Sequence, residues 1–279
     1  MVKYRVVTDS TADMDEAEAR RLRIAMVPLN VLLNGESYLD KVELSVDEFY
    51  RRLKEGRVTP RTSQPPAGRF EAVYRELLEE AEGIISVHIS GKLSGTVNAA
   101  RAAAAVVAPE RIVVLDSLMT TYPLGALAVR VARAAEEGAS LAEGVALAEE
   151  LIPRLKLFCI LDTLEFLRRG GRIGRAQAWA GSLLSVKPII AVENGEVVPA
   201  DRVRTRAAAV KRTAELVRGL GPLEDAAVLY GDNSEPAEQL RLLVQADHPE
   251  LEVKWGRTGS VIGTHTGPGV VGVCVVLAR

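Results

Sequence analysis

Apolar positions along this chain follow two rhythms, and the change falls near residue 155. Up to there, short continuous apolar runs alternate with stretches whose apolar residues recur every three or four positions. KYRVV (3–7) reads as a buried strand ending at Thr8-Asp9-Ser10. Residues 15–22 read as a helix and IAMVPLNVLL (24–33) as extended chain. Ser45-Val46-Asp47-Glu48 has the spacing of a capping box that opens a helix to about Lys54. RTSQPP (61–66) reads as a loop, and Pro65-Pro66 opens a helix through residue 81. GIISVHI (83–89) and RIVVLD (111–116) are strands on either side of an Ala-rich helix over 95–107. Two long helices follow, over 123–137 and 141–155. Strands separated by helices imply a parallel sheet covered on both faces.

Beyond residue 155 hairpins mix with helices. KLFCILDT (156–163) is a strand, and residues 164–185 read as helix, glycine turn, helix. KPIIAVENGEVVPADRV (187–203) is two extended runs around Asn194-Gly195, the strongest short hairpin signal. A helix over 205–220, a strand at 225–231, a helix over 235–246 and strands at 251–257 and 271–278 complete the pattern. The expectation is an α/β protein of two domains. Residues 1–155 form a Rossmann-like α/β/α unit on a parallel sheet, and 156–279 an α/β unit on a mixed sheet.

Composition narrows the function classes. Apolar residues make up 48% of the chain and aromatics 4%, so the core is built of Ala, Val, Leu and Ile. The formal net charge is −2, which supplies no positive field for nucleic acid or an anionic membrane surface. No leader-like start and no long apolar run are visible, so a soluble cytoplasmic protein is expected. Cys159 and Cys274 lack disulfide or metal spacing and sit in apolar runs, as buried thiols do. No metal-ligand spacing of histidines occurs, and neither metal nor cofactor is expected.

In parallel sheets ligands collect beyond the C-terminal strand ends. VVTDST (6–11), SGKLSGT (90–96) and LDSLMTT (115–121) fall there, with RTSQPP as a fourth polar segment. Ser94, ahead of Gly95 and a helix, reads either as an N-cap or as part of an anion site at orphan N–H groups. Gly91 and Gly95 would let a ligand approach the backbone. Neither a P-loop, nor a dinucleotide fingerprint, nor a G-x-S-x-G elbow is present. His265, in GTHTGPGVVG (263–272), reads either as a turn histidine or as a ligand-gripping one. His88 reads as structural and His248 as exposed. Arg168, Arg169, Arg172 and Arg175, with Arg202, Arg204 and Arg206, read as a solvated basic face or a docking surface for an acidic or phosphate-bearing partner. A hydrolase built on Ser94, His265 and either Asp9 or Asp116 has the residue types but no spacing that joins them.

Taken in order, VTDSTADM, the TSQP of 62–65, SGKLSGTVNAA, VLDSLMTT, LDTLEFLRRGGRIGRA, SVKPII, RVRT and HTGPGVVGV resemble the DegV family over nearly the whole chain. The resemblance implies two α/β domains with a long apolar tunnel and one bound long-chain fatty acid. It implies no catalysis by this chain alone. A separate ATP-binding subunit of a fatty acid kinase would phosphorylate the carboxylate, and the acyl phosphate would feed phospholipid synthesis. Matching positions put the carboxylate on Thr62, Ser94 and His265, with Ser63 and Gly95 beside them. They put Arg172, Arg202 and Arg204 towards the kinase subunit. A lipid carrier with no kinase partner is the alternative.

Overall fold

The computed structural model describes residues 2–56, 58–179 and 186–279. The chain runs β1 (Arg5–Asp9), α1 (Glu16–Arg21), β2 (Ala25–Val27), β3 (Asn30–Leu33), β4 (Glu36–Leu39), α2 (Val46–Lys54), β5 (Arg61–Ser63), α3 (Ala67–Leu77), β6 (Ile84–His88), α4 (Thr96–Val107), β7 (Ile112–Asp116), α5 (Thr121–Glu136) and α6 (Leu141–Leu151). It continues through β8 (Leu155–Ile160), α7 (Glu165–Gly170), β9 (Lys187–Glu193), β10 (Glu196–Val203), α8 (Arg206–Arg218), β11 (Leu223–Tyr230), α9 (Glu235–Asp247), β12 (Lys254–Arg257), α10 (Ser260–Thr266) and β13 (Val271–Leu277).

The expected pair of sheets is present. A four-stranded sheet, order β2-β1-β6-β7, is parallel throughout. Its apolar runs are buried on both faces, with α3 and α4 over one side and α5 and α6 over the other. A six-stranded mixed sheet, order β10-β9-β8-β13-β11-β12, holds the later strands. β11 and β12 are its parallel pair, and the other neighbours run antiparallel. Asn194 and Gly195 turn the β9–β10 hairpin with φ of 49° and 81°, the left-handed backbone that a two-residue turn needs.

The six-stranded sheet has two unlike faces. On one, Val271, Val273 and Val275 of β13 pack under α8 and α9. On the other, the alternating partners are Gly272, Cys274 and Val276, turned towards the parallel half of the molecule. Strand periodicity of two puts the large residues on one side and the small ones on the other, so the inward face is under-filled.

Several expectations need correction. The polar segment at 61–66 is not all loop: Arg61–Ser63 form β5, which pairs with β3 in a three-stranded antiparallel sheet, order β4-β3-β5. The run 24–33 splits between two sheets, because Pro28 has no N–H to carry one ladder onward. Ser45 caps α2 through the Glu48 N–H, but the Glu48 carboxylate is held by Arg51 and Arg52, so the box is half made. The complete box is Ser140 with Glu143, opening α6. That helix stops at Leu151, since Pro153 turns the chain into a 3-10 segment. His248 is buried, because Gln245 bonds back to the His248 carbonyl and the Val253 N–H and folds the segment over the helix end. The helix expected after the glycine turn of 170–171 is a 3-10 segment at Gly174–Trp179, and residues 180–185 lie outside the described residues. Among the described residues no helix is long and apolar enough to cross a membrane.

The largest departure concerns GTHTGPGVVG. His265 lies on α10, a seven-residue helix, not in a turn. Gly263, Thr264 and Thr266 are weak helix formers, and one short helix leaves no periodicity to read. Tertiary packing forms it: Val261 joins Leu29, Val31, Phe49 and Tyr50 in one apolar cluster. Gly267 ends the helix at φ 80°.

Candidate functional site

Between the two larger sheets lies a pocket that opens to solvent, with about 830 Å³ of empty space when its open mouth is counted. Its floor is the under-filled sheet face, with Leu157, Cys159, Ile190, Val192, Gly272 and Cys274. Leu29, Ile89 and Leu93 close it from the parallel half, and Val261 and Ile262 of α10 form a wall. Both cysteines are thus buried, as expected, and they also line the pocket. Burial alone pushes the Cys159 thiol up to about 12, and burial is the main cause that raises Cys274 well above the ordinary range. Neither is poised as a nucleophile.

One group of polar residues clusters around His265, while Thr120, Thr121 and Thr258 line the pocket elsewhere. Thr62, Ser63, Gln64, Ser94, Arg172 and His265 all face this space. β5 supplies Thr62 and Ser63, the loop between β6 and α4 supplies Ser94, α10 supplies His265, and the turn after α7 supplies Arg172. Thr62 Oγ1 and His265 Nε2 share a hydrogen bond of 2.8 Å. Ser94 Oγ lies 2.8 Å from Thr96 Oγ1 and accepts the Thr96 N–H at 3.3 Å. Ser94 therefore serves the start of α4 from just outside it, and Gly95 is the residue at the cap position. Ser63 Oγ accepts from Asn30 Nδ2 at 3.1 Å.

His265 Nδ1 is buried without a hydrogen-bond partner, pressed against Gly170, where a Cβ would overlap the ring. Burial first, and then the Arg172 guanidinium, push this imidazole down from 6.5 to about 4. At neutral pH the ring is uncharged, with one nitrogen engaged and the other idle. An unpaired buried nitrogen is costly.

Arg172 was expected on a docking surface, and the structure places it on the pocket wall. Its Nε donates to the Leu93 carbonyl at 3.1 Å and Nη1 to the Gly170 carbonyl at 2.7 Å. It therefore ties the Ser94 loop to the α7 turn. The β9–β10 hairpin holds the same loop from another side, with Ser90 Oγ donating to the Gly195 carbonyl at 2.8 Å and Lys92 paired to Glu196. Arg202 and Arg204 do not line the pocket; both are exposed at the end of β10, Arg202 over the Trp179 ring. Gln64 is a pocket residue that sequence reasoning passed over. Its amide fills the position a Cβ on Gly95 would take, and only the glycine beside Ser94 hinted at so close a neighbour.

The triad types do not assemble. Asp9 binds His88 instead of His265, with His88 Nδ1 donating to Asp9 Oδ2 at 3.0 Å. Asp116 accepts the N–H groups of Gly91 and Leu118. His88 is structural, as expected: Ser86 Oγ lies 2.6 Å from its Nε2 and Tyr74 Oη 2.7 Å from Ser86 Oγ, all fully buried. Among the described residues no group of His, Cys, Asp and Glu side chains is arranged to hold a metal ion.

A parallel and a mixed sheet thus enclose a mostly apolar pocket with a polar cluster around His265. A family model described as "Uncharacterised protein, DegV family" matches residues 3–278. Protein DegV of Bacillus subtilis is 37% identical over 275 residues, 96% of this chain and 97% of that one. The solved structure "Fatty Acid Binding of a DegV family Protein from Thermus thermophilus" matches with a TM-score of 0.93 and 38% identity, covering 99% of this chain and 100% of that one. "DegV, a fatty acid binding protein from Bacillus subtilis" matches with a TM-score of 0.91 and 34% identity over the whole of both chains. The chain belongs to the DegV family.

Proposed function

We propose that this protein binds one long-chain fatty acid in the pocket between its sheets and presents the carboxylate to a separate ATP-binding kinase subunit. The observation that carries the reading is the asymmetry of the pocket: mostly apolar, with uncharged threonines the other polar lining, and the imidazole of His265 and the guanidinium of Arg172 together in one cluster. Thr62, Ser63, Ser94, the backbone at Gly95 and His265 hold the head group. Residues 1–155 and 156–279 act as two domains that close on the ligand. Each buried methylene contributes roughly 0.8 kcal/mol, and each charge-assisted head-group bond about 1.5–3 kcal/mol. The acyl chain therefore sets affinity, and the polar end sets orientation. The two relatives with solved structures are described as fatty acid binding, which supports the ligand class.

The chain works in the cytoplasm without a cofactor of its own, and the kinase subunit supplies ATP and its metal. Arg202 and Arg204, exposed beside the pocket's β10 edge, dock that subunit, with Arg172 bridging docking surface and pocket. The experiment is a reconstituted acyl phosphate assay with Arg202→Glu/Arg204→Glu and with His265→Ala. Charge reversal should lower transfer at least tenfold and leave the fatty acid bound. His265→Ala should lower transfer more than retention. Transfer at the normal rate in both variants would refute presentation and leave a kinase-independent lipid carrier.

A further inference from the structure

One row of the six-stranded sheet connects the pocket to a second space. Register partners on successive strands are Gly256 of β12, Leu229 of β11, Gly272 of β13, Cys159 of β8 and Ile190 of β9. Strands lie about 4.8 Å apart, so the row spans roughly 19 Å across the sheet. Ile190, Cys159, Gly272 and Leu229 line the apolar pocket. Leu229 and Gly256 line a wide open cleft between α5 and β12. Leu229 therefore faces both spaces. It is 3% exposed and stands between two glycines, and its Cδ2 lies 2.8 Å from where a Cβ on Gly256 would sit.

The polar end lies at the opposite edge of the row. Arg172 bonds to Leu93, and Ser90 to Gly195 at the tip of the β9–β10 hairpin. α10 runs between the two ends, from Gly259, held near Leu229's side by Asp13, to His265. A chain anchored by its head at His265 and extended along the row meets Leu229 last. Beyond Leu229 the cleft wall is apolar in part, through Met14, Ala126, Val129 and Leu151. Some of its charges pair with one another, as in Arg130 with Asp225 and Lys254 with Asp225. The apolar part of the wall is the surface that would give a longer ligand cover.

We propose that Leu229 is the end-stop of the pocket and the residue that sets the longest acyl chain accepted. This inference rests on the fatty acid reading of the same pocket. With Leu229 in place the terminal methyl abuts its side chain. Truncated to alanine, the row reads Gly-Ala-Gly-Cys, and pocket and cleft become one furrow into which a longer chain can thread. Each further methylene that finds apolar cover is worth about fourfold in affinity.

The test is a set of dissociation constants for saturated fatty acids of graded length, from about twelve to twenty-two carbons, on the wild type, Leu229→Ala and Leu229→Phe. Wild type should show an optimum beyond which affinity falls. Leu229→Ala should move it longer by two or more carbons, raising the ratio of long to optimal binding at least tenfold. Leu229→Phe should move it shorter. Gly256→Ala, which presses on Leu229 from behind, should act in the direction of phenylalanine. An optimum unchanged in Leu229→Phe and Gly256→Ala overturns the assignment, whether or not the alanine variant folds. A wild type that binds none of the series overturns the fatty acid reading itself, a separate outcome.

Discussion

Two histidines occupy polar clusters of similar composition, and their surroundings are opposite. His88 sits in a sealed chain, Asp9–His88–Ser86–Tyr74, in which each side chain is bonded to the next and none meets solvent. Burial works to raise the Asp9 carboxyl, and the bonds from His88, Thr11 and Ile89 outweigh it and hold it low. His265 sits with Thr62, Ser94 and Arg172 at the end of an apolar pocket, one ring nitrogen bonded and the other buried without a partner. A satisfied cluster spends its polarity on the fold. An unsatisfied one that lines a pocket fits the proposed head-group site, where polarity is held in reserve for a ligand.

The contrast is broken most directly by truncation. His88→Ala leaves Asp9 charged in a dry core, and removing one partner of a buried pair costs about 3–5 kcal/mol. His265→Ala removes a ring that the fold satisfies at one nitrogen only, so its cost should be about 1 kcal/mol. Urea unfolding of the two variants tests this. Equal losses would mean that His265 is as structural as His88, and the reserve reading would fail.

Acid sharpens the comparison with a smaller effect. His265, held at about 4 in the fold, resists a proton that the unfolded chain accepts near 6.5. The unfolded state binds more protons across that window, so this residue's share of stability is present above pH 6.5 and falls away as pH drops towards 4. Asp40 runs the other way. Burial pushes its carboxyl from 3.8 up to about 6, so the fold keeps its proton, and the fold gains as pH falls from 6 to 3.8. The wild-type profile blends the two. His265→Gln should therefore gain stability relative to wild type between pH 6.5 and 4, and Asp40→Asn should lose relative to wild type from pH 6 downwards. A flat difference for His265→Gln would place that ring in water.

Much of this was legible in the chain. Continuous apolar runs with helices between them gave the parallel sheet, Asn194-Gly195 gave the hairpin, and small hydroxyl residues after β1, β6 and β7 marked the strand-end crevice. The structure places Thr62, Ser63, Ser94 and His265 in the lining of one pocket. What could not be read depends on tertiary packing. α10 is too short and too rich in Thr and Gly to announce itself, and it exists because Val261 is buried against α2 and β3. The split between Asp9 with His88 and Thr62 with His265 depends on which strands lie adjacent, which spacing does not encode. The pocket floor was written in VGVCVVL, where small residues alternate with valines, but only the opposite sheet reveals that the described residues leave a gap above it.

That floor offers the most direct test of the central claim. A Cβ on Gly272 would sit in ordinary contact, 3.4 Å from Cys159 Sγ, so a larger side chain there fits the strand and fills the pocket. Native mass spectrometry of the purified wild type and of Gly272→Leu, with extraction of whatever is released, reads occupancy without a kinase or an assay. The account predicts one long-chain fatty acid on the wild type, and a folded Gly272→Leu that carries none and takes up no added palmitate. A wild type that stays empty in the presence of added fatty acid, or a Gly272→Leu protein that binds as the wild type does, would contradict it.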